Sequence, residues 1–384
     1  MSRPLHLGFA CVWDRNGDRA RTWSHTPLRL WEALERRSDV VLHDLPVRIP
    51  DLPNLLGWLT AQRLVDGRRF STWRMRPWYA RLAHAELLRT LRRAGPMDAV
   101  LGIGELGPID PPLFIYQDHH YAHGLDMYRS TGILPYGWEA AGLQTLERRA
   151  AHQNRTFATA AGVFTMSQWN ANHLINTGLV PANRVHVVHA GLNVSVQAPT
   201  PNEIASKRAR PFREVLFVGR EFMRKGGDLV VEAIDRARAL SDRPLRLIVA
   251  GPAEWPASVK MPDETTFLGD LPMSAVRERL RSADVLVMPS RFEAFGIIFI
   301  EALASGTPAI GRNAFAMPEM IDYGINGMLV NSDDPSELAA AIATVVADDA
   351  MADRCAHDAP RIAATFSWDR VADDMIAAIT KAIR

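Results

Sequence analysis

Short apolar runs alternate with longer amphipathic stretches along the whole chain, the pattern of βα units that feed a parallel sheet. In the first half, apolar runs predict strands over Leu5–Val12, Val40–Leu45, Ala99–Ile103, Leu113–Gln117, Gly162–Met166 and Val185–His189. Apolar positions at helical spacing predict helices over His25–Arg37, Pro77–Arg93, Gly137–Thr159 and Gln168–Thr177. The alternation then restarts. Strands are expected at Val215–Gly219, Leu245–Ala250, Thr266–Leu268, Val285–Pro289, Pro308–Ile310 and Gly327–Val330. Helices are expected at Gly226–Leu240, Pro272–Ser282, Gly296–Ser305, Pro335–Asp348 and Met351–Thr365. Between the halves, Ala198-Pro-Thr-Pro-Asn202 holds two prolines without backbone donors and predicts a linker. The pattern therefore divides the chain into one domain over 1–197 and another over 203–365. It contains no short-period repeat.

Composition narrows the class. At 384 residues the chain suits two domains of ordinary size. A net charge of +1 gives no global field for nucleic acid. Cys11 and Cys355 are the only cysteines, too few for a disulfide framework or a zinc site, which fits a reducing, cytoplasmic setting. The N-terminal run MSRPLHLGFACVW lacks the layout of a signal peptide, and no window reaches the ~20 apolar residues of a membrane span. Lysines are scarce beside arginines, so a lysine inside a motif stands out.

Gly102-Ile-Gly104-Glu-Leu-Gly107 matches the spacing of a dinucleotide-binding loop. That loop works only when a helix opens from it toward the pyrophosphate. Pro108, Pro111 and Pro112 follow at once and block such a helix, so the match is set aside.

The chemistry concentrates between Val215 and Val330. Gly219 ends a strand, Arg220 and Lys225 lie just beyond it, and Gly226-Gly227 opens the next helix. Such a helix start is an anion site by virtue of its unpaired N–H groups and dipole, and two cations on the loop suit a diphosphate. In Pro289-Ser-Arg-Phe-Glu293-Ala294-Phe295-Gly296, Glu293 precedes a helix, and Glu301 lies inside it eight positions later among apolar neighbours. A carboxylate so buried needs hydrogen-bond donors, and the two adjacent hydroxyls of a ribose would supply them. The turns at Gly251-Pro and at Gly269-Asp-Leu271-Pro could hold a base through main-chain groups. Each also reads as an ordinary βα turn.

These pieces together resemble family 4 of the glycosyltransferases. The resemblance is carried by Gly219-Arg220 with Lys225-Gly226, by Leu268-Gly269, and by Pro289-Ser-x-x-Glu293-x-Phe-Gly with Glu301-Ala and Gly306-Thr-Pro. Pro318-Glu319 with Gly324-x-Asn-Gly327 and the ending Phe366-Ser-Trp-Asp-Arg complete it. It implies an α/β protein of GT-B architecture, two Rossmann-like doubly wound domains facing a central cleft. The first would bind the acceptor and the second the donor, with a C-terminal helix over 366–384 crossing back to the first. It implies a retaining transferase that takes its sugar from a nucleotide diphosphate donor, UDP- or GDP-linked, with no cofactor and no metal. The sequence contains no Asp-x-Asp to hold one. Arg220 and Lys225 would neutralise the leaving diphosphate, and Glu293 would hold the donor sugar. Backbone groups around Gly219, Leu271, Ala294, Phe295 and Gly296 would contact the donor, and Glu301 would bind its ribose.

In the first half the resemblance points to a cleft histidine after the central strand, where Asp118-His119-His120 offers two candidates. A metal site there is disfavoured because adjacent side chains seldom reach one ion and no third ligand is evident at helical spacing. The family's glycine-rich loop after the first strand is reduced here to Gly17, and the paired glycines before Pro318 are replaced by Phe315-Ala-Met. The stretch 61–94 sets nine arginines against Asp66 and Glu86 and carries Trp73, Trp78 and Tyr79. It reads either as a solvated helix pair or as a peripheral contact with an anionic membrane or a phosphorylated acceptor. The acceptor hydroxyl can belong to an oligosaccharide, a lipid or a small natural product. Competing readings are a phosphorylase or epimerase on the same fold, and a non-catalytic nucleotide-sugar-binding partner.

Overall fold

A computed structural model of the chain describes residues 3–13, 19–65, 68–135, 137–194 and 196–384. It divides into two compact units, Met1–Gly191 with Trp368–Arg384, and Leu192–Ser367. Residues 192–197 and 366–367 thus group with the second unit, outside the segments the sequence assigned them to.

The first unit runs β1 (Leu5–Cys11), α1 (Thr26–Glu35), β2 (Val40–Pro46), α2 (Asp51–Thr60), β3 (Gln62–Val65), β4 (Arg68–Ser71), α3 (Pro77–Ala94), β5 (Ala99–Ile103), β6 (Leu113–Gln117), α4 (Tyr121–Thr131), α5 (Leu143–Thr159), β7 (Gly162–Thr165), α6 (Gln168–Asn176) and β8 (Val185–Val187). Six of these strands form one parallel sheet in the order β2-β1-β5-β6-β7-β8, and β3 and β4 pair as a separate antiparallel hairpin. Strands β5 and β6 are buried at every position, which is why they read as unbroken apolar runs.

The second unit runs α7 (Pro201–Ala209), β9 (Arg213–Val218), α8 (Gly227–Leu240), β10 (Leu245–Ala250), β11 (Thr265–Phe267), α9 (Met273–Ser282), β12 (Val285–Val287), α10 (Ile297–Ala304), β13 (Ala309–Arg312), β14 (Gly327–Val330), α11 (Pro335–Ala347) and α12 (Asp349–Thr365). Its parallel sheet has the order β11-β10-β9-β12-β13-β14. Renumbered within the unit this is 3-2-1-4-5-6, the doubly wound order whose direction reverses between the first and fourth strands.

Several elements depart from the sequence reading. Pro201 does not break the chain but opens α7. Thr200 caps that helix and its own N–H donates to the Glu203 carboxylate at 2.7 Å, and proline is well tolerated at a first helical position. The helix expected from Gly137 starts only at Leu143, because Gly137 and Gly142 both take positive φ. In place of a helix pair, the arginine-dense stretch holds the hairpin, a short 3-10 turn at Trp73–Met75, and α3. The rejected glycine loop is irregular through Gly104–Pro112 and leads into β6, not into a helix.

The last helix, α13 (Trp368–Ile383), groups with the first unit. Asp369 pairs with Arg36, and Arg370 donates to the Val188 carbonyl at 2.6 Å. Trp368 stands edge-on to Tyr116 with ring centroids 6.5 Å apart and covers Gly191 so closely that a side chain there would overlap its indole. Replacing Trp368 with alanine removes this buried ring and should lower stability by about 3–5 kcal/mol. Thermal unfolding of the variant beside the parent measures the loss, and equal midpoints would contradict it.

Candidate functional site

The reversal of strand order places β9 beside β12, and a loop leaves the carboxyl end of each. Open α/β sheets bind ligands at such a point. The loop after β9 carries Gly219, Arg220 and Lys225, and the loop after β12 carries Pro289 to Gly296. They touch at Gly226, whose φ is 77° and where an added Cβ would sit 2.6 Å from the Pro289 carbonyl oxygen. Any side chain at Gly226 would force the loops apart.

Lys225 reaches across and pairs directly with Glu293, both side chains being largely buried. Burial pushes the Lys225 ammonium below the usual lysine range, and Glu293 opposes that shift. Around this pair, arginines fasten one loop to the other. Arg224 donates to the Phe292 carbonyl at 2.6 Å, and Arg291 donates to the Met223 carbonyl at 2.6 Å and to Asp228 at 2.7 Å. Arg312 donates to the Ser290 carbonyl at 3.2 Å.

Arg220 stands apart from these groups. It is exposed and gripped by Asp270, with bonds of 3.0 and 3.2 Å, on the turn that carries Gly269 and Leu271. That turn approaches because Gly251, at φ 119°, lies against the Gly219 backbone and donates to the Gly269 carbonyl at 2.8 Å. An ion pair so open to water contributes little and yields readily to a competing anion.

Ala294 and Phe295 are buried, and Gly296, at φ 94°, is the N-cap of α10. Within that helix Glu301 is almost completely enclosed. The Asn193 backbone N–H supports its carboxylate, while Oε1 is buried with no hydrogen-bond partner among the described residues. Desolvation dominates and raises the Glu301 carboxyl to about 8.

Of the four charged groups read from the sequence, the structure joins Lys225 and Glu293 directly. It ties Arg220 to Asp270 and leaves Glu301 on Asn193. Asp270 and Asn193 escaped the sequence reading because each is remote along the chain and unmarked by its neighbours. Phe315, which stands where the resemblance led to an expected glycine, holds a left-handed φ of 58° with its ring edge-on to Phe292, 5.5 Å between centroids. The loop thus keeps a glycine-like backbone despite the bulky residue.

In the first unit, a cavity of about 300 Å³ opens at the carboxyl ends of β1, β5 and β6, lined by Arg74, Gln117, Asp118, His119, Trp138 and Gln153 among others. Its floor is a buried ion pair, Arg149 donating to Glu105 at 2.5 Å. Gly17 lies outside the described residues.

The two histidine candidates separate clearly. His119 stacks on Trp138, 5.5 Å between centroids, and keeps part of its ring exposed along the cavity. His120 turns into the core, its Nδ1 2.9 Å from Asn170 Oδ1 and its Nε2 3.0 Å from His173 Nδ1. The sequence reading also overlooked His123, one helical turn beyond His120. With His173 from α6 the three imidazoles gather so that one ring nitrogen of each lies within 4.8 Å of the others.

Their bonds fix the protonation. His173 Nε2 faces Asp126 at 3.1 Å and must donate, so a neutral His173 accepts from His120 at Nδ1. His120 Nδ1 is then an acceptor. The Asn170 amide must therefore present its nitrogen to that ring, which leaves its oxygen in the enclosed position.

Burial drives His120 well below the ordinary histidine range and His123 down to about 3, so both stay neutral in the fold. The unfolded chain takes up these protons below the ordinary histidine value while the folded chain refuses them. The stability they allow is therefore complete above about pH 6.5 and drains as pH falls toward 3. At pH 5 the loss should be roughly 2 kcal/mol per imidazole. The unfolding midpoint should fall from pH 7 to pH 5, and less so in His123→Gln; equal slopes in parent and variant would refute the assignment.

Residues 202–361 match the family described as glycosyl transferases, group 1. The D-inositol 3-phosphate glycosyltransferase of Thermobispora bispora is 30% identical over 233 residues, 56% of this chain and 54% of that protein. The chain spans about half the length of the curated relatives it matches. Among solved structures it is similar to sucrose-phosphate synthase of Thermosynechococcus elongatus, with a TM-score of 0.69 at 19% identity over 98% of each chain. It is also similar to Anabaena HepE in complex with UDP-glucose, with a TM-score of 0.64 at 16% identity over 98% of this chain and 100% of that one. These likenesses show a GT-B fold, and residues 202–361 form a domain of the glycosyl transferases group 1 family.

Proposed function

We propose that the chain transfers a hexose-type sugar from a nucleotide diphosphate donor to a hydroxyl acceptor, retaining anomeric configuration and using no metal ion. The observation that carries this reading is the convergence of the Lys225–Glu293 pair with the start of α10 at the strand-order reversal of the second unit. The same unit buries a carboxyl oxygen of Glu301 without a partner.

In this reading the donor diphosphate draws Lys225 from Glu293 and Arg220 from Asp270. Glu293, so released, accepts from the sugar hydroxyls, and backbone groups at Phe295 and Gly296 contact sugar and phosphate. Glu301 accepts from the ribose. The bond between the anomeric carbon and the phosphate oxygen breaks while the acceptor oxygen bonds to that carbon from the same face. The acceptor proton passes to the departing phosphate oxygen, whose negative charge the two cations stabilise. The UDP-glucose complex of HepE supports a UDP-linked donor over a GDP-linked one. The acceptor is assigned to the first unit, where His119, Trp138 and Arg74 line a polar cavity with an aromatic wall. An oligosaccharide, a lipid headgroup or a small natural product fits that description.

UDP should raise the unfolding temperature in the presence of a chelator, and hydrolysis or transfer from a UDP-sugar should follow. A response to inorganic phosphate and free sugar alone would favour a phosphorylase, and binding without turnover of any donor a non-catalytic partner. Lys225→Ala should lower kcat by on the order of a hundredfold, as loss of a charge-stabilising donor does; unchanged turnover removes its role.

Glu301 supplies a second check. Its carboxyl is raised to about 8, so at pH 7 the free protein holds it mostly protonated, whereas two ribose hydroxyls call for the carboxylate. Binding of UDP should therefore release a proton at pH 7, and affinity should rise with pH up to about 8. Titration calorimetry in buffers of different ionisation enthalpy reads that proton directly. Glu301→Gln should abolish the release, and an identical release in the variant would exclude this carboxyl as its source.

A further inference from the structure

Helix α2, Asp51–Thr60, is built inside out. Leu52, Leu55, Leu56 and Leu59 recur at the spacing that gathers side chains on one face of a helix, a stripe that in a soluble domain normally faces the core. Here the stripe faces water, with exposures of 67%, 51%, 50% and 55%. The opposite face holds the helix to the body. Gly57, its one buried residue, lies flat on the Trp73 indole with no room for a side chain, and the Trp73 N–H donates to Asn54 Oδ1 at 2.9 Å. Trp73 is itself wedged edge-on against Trp78 and Tyr79, so the platform beneath the helix is rigid.

Further apolar side chains are exposed beyond the helix in the chain. Leu64 on the hairpin and Trp78 at the start of α3 are 70% and 50% exposed. Arginines accompany these residues along the chain: Arg48, Arg63, Arg69, Arg74 and Arg81 are exposed, and none pairs with a carboxylate among the described residues. The acids within 47–81 are Asp51 and Asp66, the latter outside the described residues.

We propose that α2 docks the chain on an anionic membrane surface, lying in the plane of the interface with its leucines among the upper acyl chains and the arginines on lipid headgroups. Ten residues span about 15 Å, half of a bilayer core, and no helix among the described residues is long and apolar enough to cross one. An in-plane seat is what this length allows. These unpaired arginines complement anionic headgroups and oppose a second copy of the chain, whose own arginines would meet them with like charge. The four leucines of α2 precede the 61–94 stretch that the sequence singled out, whereas Leu64, Trp78 and all the named arginines but Arg48 lie within it. This inference is independent of the donor and transfer assignments, and Arg74, which lines the first unit's cavity, is the one residue it shares with the acceptor assignment.

The test is co-sedimentation of the full chain with vesicles of phosphatidylcholine alone and of an equal mixture of phosphatidylcholine and phosphatidylglycerol. Binding should favour the anionic vesicles by on the order of tenfold and weaken as salt rises. The L55E/L56E variant should lose binding while keeping the parent's unfolding midpoint, since both side chains stand in solvent. An R63Q/R69Q variant should lose the preference for anionic lipid. Equal partitioning of parent and L55E/L56E, or absence of the parent from both vesicle pellets, overturns the proposal. So does a dimer in sedimentation velocity that the leucine substitutions abolish, which would make a second copy the occupant.

Discussion

Everything assembled at the second unit's site depends on two loops being able to touch. The sheet order makes β9 and β12 neighbours, but adjacency of strands does not by itself bring their loops into contact. Contact requires the missing side chain of Gly226, which lets the chain lie on the Pro289 carbonyl in a left-handed conformation. Once the loops meet, Lys225 and Glu293 face each other in a largely dry space. A buried pair of this kind gains little for stability, because the desolvation of both charges offsets their attraction. Replacing it with apolar residues would cost the fold little, so the pair is better understood through what it can release to a ligand than through what it holds together.

The arginines around the pair have a different physical role. Arg224, Arg291 and Arg312 each donate to main-chain carbonyls of the opposite loop or of its flanks, and Arg291 and Arg312 share Asp333. A guanidinium offers several donors in a fixed plane and stays charged, which suits bracing a loop from two directions. Lysine, with a compact and adaptable charge, stands where the proposed reading has the group change partner. Phe315 fits the same scheme: its strained φ is retained although glycine would adopt it freely, and the ring packs against Phe292 at the base of the braced loop.

Most of the sheet elements were legible in the sequence because parallel strands buried on both faces leave unbroken apolar runs. Individual side chains were legible where a motif marked them, as with Lys225 and Glu293 on the loops and Glu301 within α10. What escaped has identifiable causes. Helix α4 follows an irregular turn at His119–His120 and contains Gly124, which weakens its periodic signal. That glycine is required because the Trp138 ring occupies the space a side chain would need. Helix α7 was hidden by treating proline as a breaker at the one helical position where it is welcome. The choice between His119 and His120 could not be made from the chain, since successive residues point to opposite sides once β6 has ended, and only the position of Asn170 and His173 decides which ring is claimed by the core.

Helix α2 exposes a deeper limit of periodicity. A stripe at i, i+3, i+4 and i+7 tells that four leucines share a face, and burial of that face is an inference from how soluble domains are normally stabilised. The orientation is decided instead by the narrowest contact available. Gly57 and Asn54 are the residues that can approach an indole closely, one by lacking a side chain and the other by accepting from its N–H. Trp73, held by two aromatic neighbours, takes that contact, and the leucines are turned outward as a consequence. Glycine and asparagine in the middle of an apolar helix look like flaws in a pattern meant for the core. Set against a fixed tryptophan, they become the anchoring face, and the hydrophobic stripe is the part of the helix that the fold itself leaves without a partner.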